Sequence, residues 1–114
     1  MTAPELAASG AAIGLRGTRA TVMGLGTRGG GVGVARYLAN AGAVVTVTDG
    51  KRAEDLAAPM AELAGLPIRY KLGGHDEDDF AGADLVVRNP GVRRDHPLLA
   101  LARSRGVPIE MEMS

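Results

Sequence analysis

Apolar residues follow two alternating periods along this chain. Five short runs, at residues 19–24, 44–48, 68–72, 84–88 and 108–113, are dense in Val, Ile, Leu, Met and Thr, and each reads as a strand. Between them the apolar positions shift to helical spacing. Val34, Tyr37, Leu38 and Ala41 form the i, i+3, i+4, i+7 set of a helix over 32–41, with Gly42 at its C-cap. Leu56, Met60, Leu63 and Ala64 mark a second helix over 52–64, closed by Gly65. Pro59 lies inside that pattern and predicts a break or kink. A helix over 96–105 follows the fourth strand, with Asp95 as its cap, Pro97 in its first turn and Gly106 after it. The acidic run 76–79 predicts the solvated first turn of a short helix.

The order β-α-β-α-β-(short α)-β-α-β predicts an α/β fold: a single Rossmann-like domain with a doubly wound parallel sheet of about five strands. Right-handed crossovers put every strand's C-terminal end on one edge, and ligands of such sheets bind there, where the strand order reverses. The loops expected at that edge are 24–31, 49–52, 72–76 and 89–94. Residues 1–15 read as an N-terminal arm and 16–114 as the domain. The arm lacks the basic start of a signal peptide. No closing helix follows the fifth strand, so the chain reads as a piece of a longer protein.

Composition narrows the function. The 13 basic and 13 acidic residues cancel, whereas a nucleic-acid or anionic-membrane binder needs a basic excess. There is no Cys, and His75 and His96 stand too far apart for a common zinc spacing. No apolar run is long enough to span a membrane, which suggests a cytoplasmic protein. There is no G-x-x-x-x-G-K-[ST] loop for ATP and no G-x-S-x-G elbow, so no catalytic machinery is visible.

One motif carries chemistry. Gly24-Leu25-Gly26-Thr27-Arg28-Gly29 matches G-x-G-x-x-G between a strand and a helix. Its glycines permit a tight turn and let backbone N–H groups approach a diphosphate at the helix N-terminus, or they serve close helix–sheet packing alone. Asp49 ends the second strand, 20 positions after Gly29. It either bonds ribose hydroxyls or is an ordinary strand-end turn acid. The extra glycines Gly30, Gly31 and Gly33 form either an anion-binding nest or a loose insertion. Asn89-Pro90-Gly91 suits a type II turn on the ligand edge. Arg93, Arg94 and Asp95 read as a solvated charge group, His96 as a helix-start residue, and His75 as a secondary binding candidate.

Taken together, G-L-G-x-x-G, V-T-V-T-D, D-L-V-V-R-N-P-G-V, H-P-L-L-A-L-A and V-P-I-E-M-E resemble the N-terminal domain of the Mur ligases, and among them the D-glutamate-adding branch. The likeness covers residues 16–113; the phrase 84–92 followed by His96-Pro97-Leu98 is its specific part. The resemblance implies a three-domain cytoplasmic enzyme of peptidoglycan synthesis, which activates a carboxylate with ATP and joins D-glutamate to UDP-N-acetylmuramoyl-L-alanine. This domain would grip the UDP part. Leu25, Gly26, Thr27, Arg28 and Gly29 would sit on the diphosphate. Asp49, Gly50 and Lys51 would surround the uracil, with Gly73 touching it from the next loop. ATP and magnesium would be held by later domains, so this chain alone is expected to be inactive. Two departures stand out: a glycine loop about two residues longer than the family's common form, and Gly50-Lys51 where many members have Thr-Arg.

Two other readings remain open from sequence. The glycine spacing with Asp49 suits NAD as well as UDP, which would make this a regulatory or dehydrogenase domain. Against it, a full dinucleotide site uses two β-α-β-α-β halves. A structural module whose glycines serve packing alone is the third.

Overall fold

The computed structural model describes residues 15–25 and 30–111. The predicted arm, and Gly26, Thr27, Arg28 and Gly29 of the glycine loop, lie outside the described residues. Five parallel strands form one sheet: β1 (Arg19–Met23), β2 (Val44–Asp49), β3 (Ile68–Leu72), β4 (Leu85–Arg88) and β5 (Ile109–Met111), in the order β3-β2-β1-β4-β5. The chain runs outward from β1 through β2 to β3, then returns to β1's other side with β4 and β5. The reversal between β1 and β4 is the switch point. Both sides of β1 are paired over most of its length, Val22 lying opposite Val47 of β2 and Val87 of β4.

Strand alternation sends the two sheet faces to different partners. Ala20, Val22, Val45, Val47 and Val87 face α1 (Gly30–Asn40) and α2 (Ala57–Glu62), joining Val34, Leu38, Leu56 and Leu63 in one apolar core. Met23 and Val86 point the other way, onto α3 (Asp78–Ala81) and α4 (Pro97–Ser104), where they meet Phe80, Leu99 and Ala102. This second face is partly polar. Thr21 and Thr48 are buried there. Thr21 Oγ1 donates to the Asp79 carbonyl (2.5 Å), and Thr48 Oγ1 lies 3.0 Å from His75 Nδ1.

The predicted elements are present, with three local corrections. The expected 52–64 helix is split into a 3₁₀ turn, Ala53–Leu56, and α2. Pro59 then occupies the first turn of α2, where its missing N–H needs no partner. Asp95 does not cap α4. His96 does, its Nδ1 accepting from Leu98 N–H at 3.1 Å, while Asp95 pairs with Arg93 at 3.0 Å. The acidic run is only partly solvated: the Asp79 side chain is 8% exposed and pairs with Arg69 of β3 at 2.7 Å.

The surplus glycines have distinct roles. A Cβ on Gly31 would stand 2.4 Å from the Leu25 carbonyl oxygen and 2.7 Å from that of Gly24. Gly31 therefore lets α1 begin directly against the end of β1, the packing role expected of the fingerprint's third glycine. A Cβ on Gly33 meets nothing within 4 Å. Gly31→Ala should cost roughly 1–3 kcal/mol, because backbone must move to admit the methyl group. Gly33→Ala should stabilise by about 0.5–1 kcal/mol through helix propensity. Urea denaturation of the two variants checks the opposite signs.

Candidate functional site

The C-terminal edge is built around the exit of β1. Gly24 leaves the strand at φ +91° and lies so close to β4 that a Cβ there would stand 2.8 Å from Asn89 Cβ. Its N–H donates to the Thr48 carbonyl (2.8 Å), and Asn89 N–H donates to the Met23 carbonyl (2.8 Å). Positive φ and the absence of a side chain are both required here, which fixes the first position of the motif as glycine.

Leu25 then turns its side chain into the core, fully buried. Its N–H donates to Asp49 Oδ2 at 3.0 Å, and Lys51 N–H donates to Asp49 Oδ1 at 2.9 Å. Both carboxylate oxygens thus hold backbone, one on the glycine loop and one on the loop after β2. Each retains a lone-pair direction for a further donor. Gly73, at φ +75°, donates its N–H to the Lys51 carbonyl at 2.8 Å, and Gly74 N–H reaches the Asp49 carbonyl at 3.3 Å. Of the nine sequence-predicted site residues, Leu25, Asp49, Lys51 and Gly73 are therefore tied together by these bonds. Gly50 sits exposed among them with open space around it. The other four, Gly26 to Gly29, fall in the part of the loop outside the described residues.

Beside this cluster lies a cleft of about 530 Å³ lined by Met23, His75, Gly91, Val92, Arg93, Asp95, His96 and Pro97. None of the nine predicted residues lines it. Its wall is the 89–92 turn, in which Val92 N–H donates to the Asn89 carbonyl (2.8 Å) and Gly91 N–H to Asn89 Oδ1 (2.9 Å). Gly91 lacks the positive φ of a type II turn, so the expected turn type is corrected; the Asn89 side chain sets the turn instead. Two imidazoles meet in the cleft, the His75 and His96 rings standing edge to face at 5.8 Å between centroids. Burial, and then the nearby His96, push the His75 pKa below its ordinary value, while Asp49 acts in the opposite direction. The position of His75 after Gly73-Gly74 hinted at this place. Its meeting with His96, 21 residues on, is a product of the sheet order, which no local pattern encodes.

A smaller cavity of about 180 Å³ lies at the opposite edge, among Arg19, Thr21, Thr46, Arg69 and Asp79. Its polar groups mostly satisfy one another: Arg69 holds Asp79, Arg19 donates to the Gly82 carbonyl, and Thr21 donates to the Asp79 carbonyl. Among the described residues, no three His, Asp or Glu side chains gather to hold a metal ion.

Comparison with known proteins agrees with the sequence resemblance. The family described as Mur ligase MurD-like, N-terminal domain, matches residues 18–110. UDP-N-acetylmuramoylalanine–D-glutamate ligase of Roseiflexus sp. (strain RS-1) is 57% identical over 100 residues, 88% of this chain and 22% of the relative. The ligase of the same name from Anaeromyxobacter dehalogenans (strain 2CP-C) is 51% identical across the whole chain and again 22% of its own length. The chain thus spans about a fifth of these relatives. Among solved structures, UDP-N-acetylmuramate-alanine ligase from Thermotoga maritima aligns over 83% of this chain and 21% of its own, with TM-score 0.62 and 30% identity. Shikimate dehydrogenase from Aquifex aeolicus, at 15% identity and TM-score 0.59 over 85% of this chain and 43% of its own, shares the fold alone. With the family match running from just before β1 into β5, and so through the whole sheet and its C-terminal edge, the chain belongs to the Mur ligase MurD-like N-terminal domain family.

Proposed function

We propose that this chain is the substrate-gripping N-terminal part of a UDP-N-acetylmuramoylalanine–D-glutamate ligase acting in cytoplasmic peptidoglycan synthesis, and that its C-terminal sheet edge holds the UDP moiety. The observation that carries this reading is the Asp49 clamp, which fixes the start of the glycine loop against the end of β2 at the sheet's switch point. On this reading residues 25–29 receive the diphosphate, and α1 begins at the next residue, Gly30. The cluster of Asp49, Gly50, Lys51 and Gly73 receives the uracil.

The chemistry of ligation belongs to residues outside this chain. The sequence has no G-x-x-x-x-G-K-[ST] loop to cradle ATP phosphates, and on this reading ATP and magnesium are held by other parts of the ligase. The domain's contribution is binding energy and orientation: it fixes one end of the substrate so that the reacting carboxylate is presented elsewhere. On this reading the chain alone has no ligase activity.

Two predictions follow from the clamp and its ligand. In NMR titrations, UDP-N-acetylmuramoyl-L-alanine should shift the amides of Leu25, Asp49, Lys51 and Gly73, with weak affinity because one domain supplies part of the site. NAD should shift none of them at equal concentration; preferential NAD binding would reverse the assignment. Asp49→Asn should replace one acceptor by an NH₂ group facing a backbone N–H. It should destabilise the fold by roughly 1–3 kcal/mol and speed hydrogen exchange at Leu25 or Lys51. Loss of ligand binding in this variant with unchanged exchange would assign Asp49 to the ligand alone.

A further inference from the structure

Two imidazoles in the cleft have a division of labour between their ring nitrogens. His75 Nδ1 lies 3.0 Å from the hydroxyl of the fully buried Thr48, and His96 Nδ1 accepts the Leu98 N–H at 3.1 Å. Neither Nε2 has a hydrogen-bond partner among the described residues, and both residues line the cleft. The Leu98 bond fixes the tautomer of His96: with Nδ1 as acceptor, the neutral ring carries its proton on Nε2 and is a donor there. A proton on His96 Nδ1 would face the Leu98 N–H and cost α4 its cap. His75 has no such restriction, because the Thr48 hydroxyl can donate to Nδ1 or accept from it. His75 is therefore the ring that can change charge without breaking a bond.

Asp49 of β2 is the acid that acts on His75, and its charge is shared with backbone N–H groups on both oxygens. The 89–96 segment contributes Arg93 and Asp95, which pair with each other at 3.0 Å, and His96. Met23 of β1, Phe80 of α3 (6.1 Å between ring centroids) and Pro97 of α4 are uncharged. Burial, and then His96, push the His75 pKa below its ordinary value, against the opposing pull of Asp49. An anionic ligand in the cleft adds negative charge beside the ring and favours its protonated form.

We propose that His75 and His96 form a proton-coupled oxygen subsite: both Nε2–H groups donate to oxygens of the nucleotide ligand, and His75 takes up a proton from solvent as the ligand enters. This rests on the reading that the sheet edge holds a UDP-linked substrate. In the bound state, His75 Nδ1–H donates to Thr48 Oγ1 and Nε2–H to the ligand, while His96 Nδ1 keeps accepting the Leu98 N–H. Uptake on binding means that affinity rises as pH falls through neutrality.

The test is calorimetry of the 114-residue chain with UDP-N-acetylmuramoyl-L-alanine near neutral pH, in PIPES and in imidazole, whose ionisation enthalpies differ. This ligand has no group of its own that titrates from about pH 6 to about pH 8. The buffer difference should report about half a proton taken up per ligand, the value for a roughly tenfold coupling between proton and ligand. His75→Gln should bind without uptake and with flat affinity across that pH range. His96→Asn, which retains a capping side chain, should weaken binding several-fold. In the unsubstituted chain, the NMR titration midpoint of His75 should move to higher pH when ligand is added, a readout independent of any variant's folding. Binding without uptake, an unmoved His75 midpoint, full uptake in His75→Gln or unchanged affinity in His96→Asn overturns the subsite and leaves the UDP reading standing. Absence of binding altogether overturns both.

Discussion

The site depends on one carboxylate. Asp49 ends β2 and takes a backbone N–H on each oxygen, from Leu25 at the start of the glycine loop and from Lys51 in its own loop. Charge-assisted bonds to backbone are directional and individually worth more than neutral ones. Two of them on one group fix the exits of β1 and β2 relative to each other. Gly73, through Lys51, extends the same tie to β3. On the other side, the absent side chain of Gly24 admits Asn89, and with it the end of β4. Three strand ends are thereby tied through an acid that sequence patterns usually assign directly to the ligand, and the fourth packs against Gly24.

The two sheet faces are held by different physics. The core of the α1–α2 face is aliphatic apart from Tyr37, and its packing is mostly non-directional. The α3–α4 face mixes apolar contacts with specific bonds: Thr21 to Asp79, Thr48 to His75, Arg69 to Asp79. A four-residue helix such as α3 has little stability of its own. Bonds from the sheet and the fully buried Phe80 give it one position, and that position in turn carries the loop with His75.

Much of the fold was legible because period-2 and period-3.6 patterns alternate cleanly and most helix ends are marked by glycine. The spacing from the glycine loop to Asp49, and the phrase around Asn89-Pro90-Gly91, pointed to the family that the comparisons show. What escaped was three-dimensional. Asp95 precedes α4 and is a good capping type, yet the adjacent imidazole took the cap while Arg93 took the acid. Asp79 looked solvated within an acidic run, but the arginine that buries it lies ten residues earlier, on β3. The cleft pairs residues from two loops that only the return of the chain across β1 brings together. Its lining residues have no common sequence signature.

The threonines on the second face have a consequence for how this domain tolerates change. Across the α1–α2 core, an exchange of one aliphatic residue for another of similar volume disturbs only packing, and cores absorb such repacking well. Thr21 and Thr48 have the shape of valine, so a shape-matched exchange leaves the core filled but removes a hydroxyl that fixes α3 or aims an imidazole. The same conservative step is therefore nearly silent on one side of the sheet and, on the other, frees the elements that border the cleft. Variation in this domain is thus constrained unequally across a sheet only one residue thick.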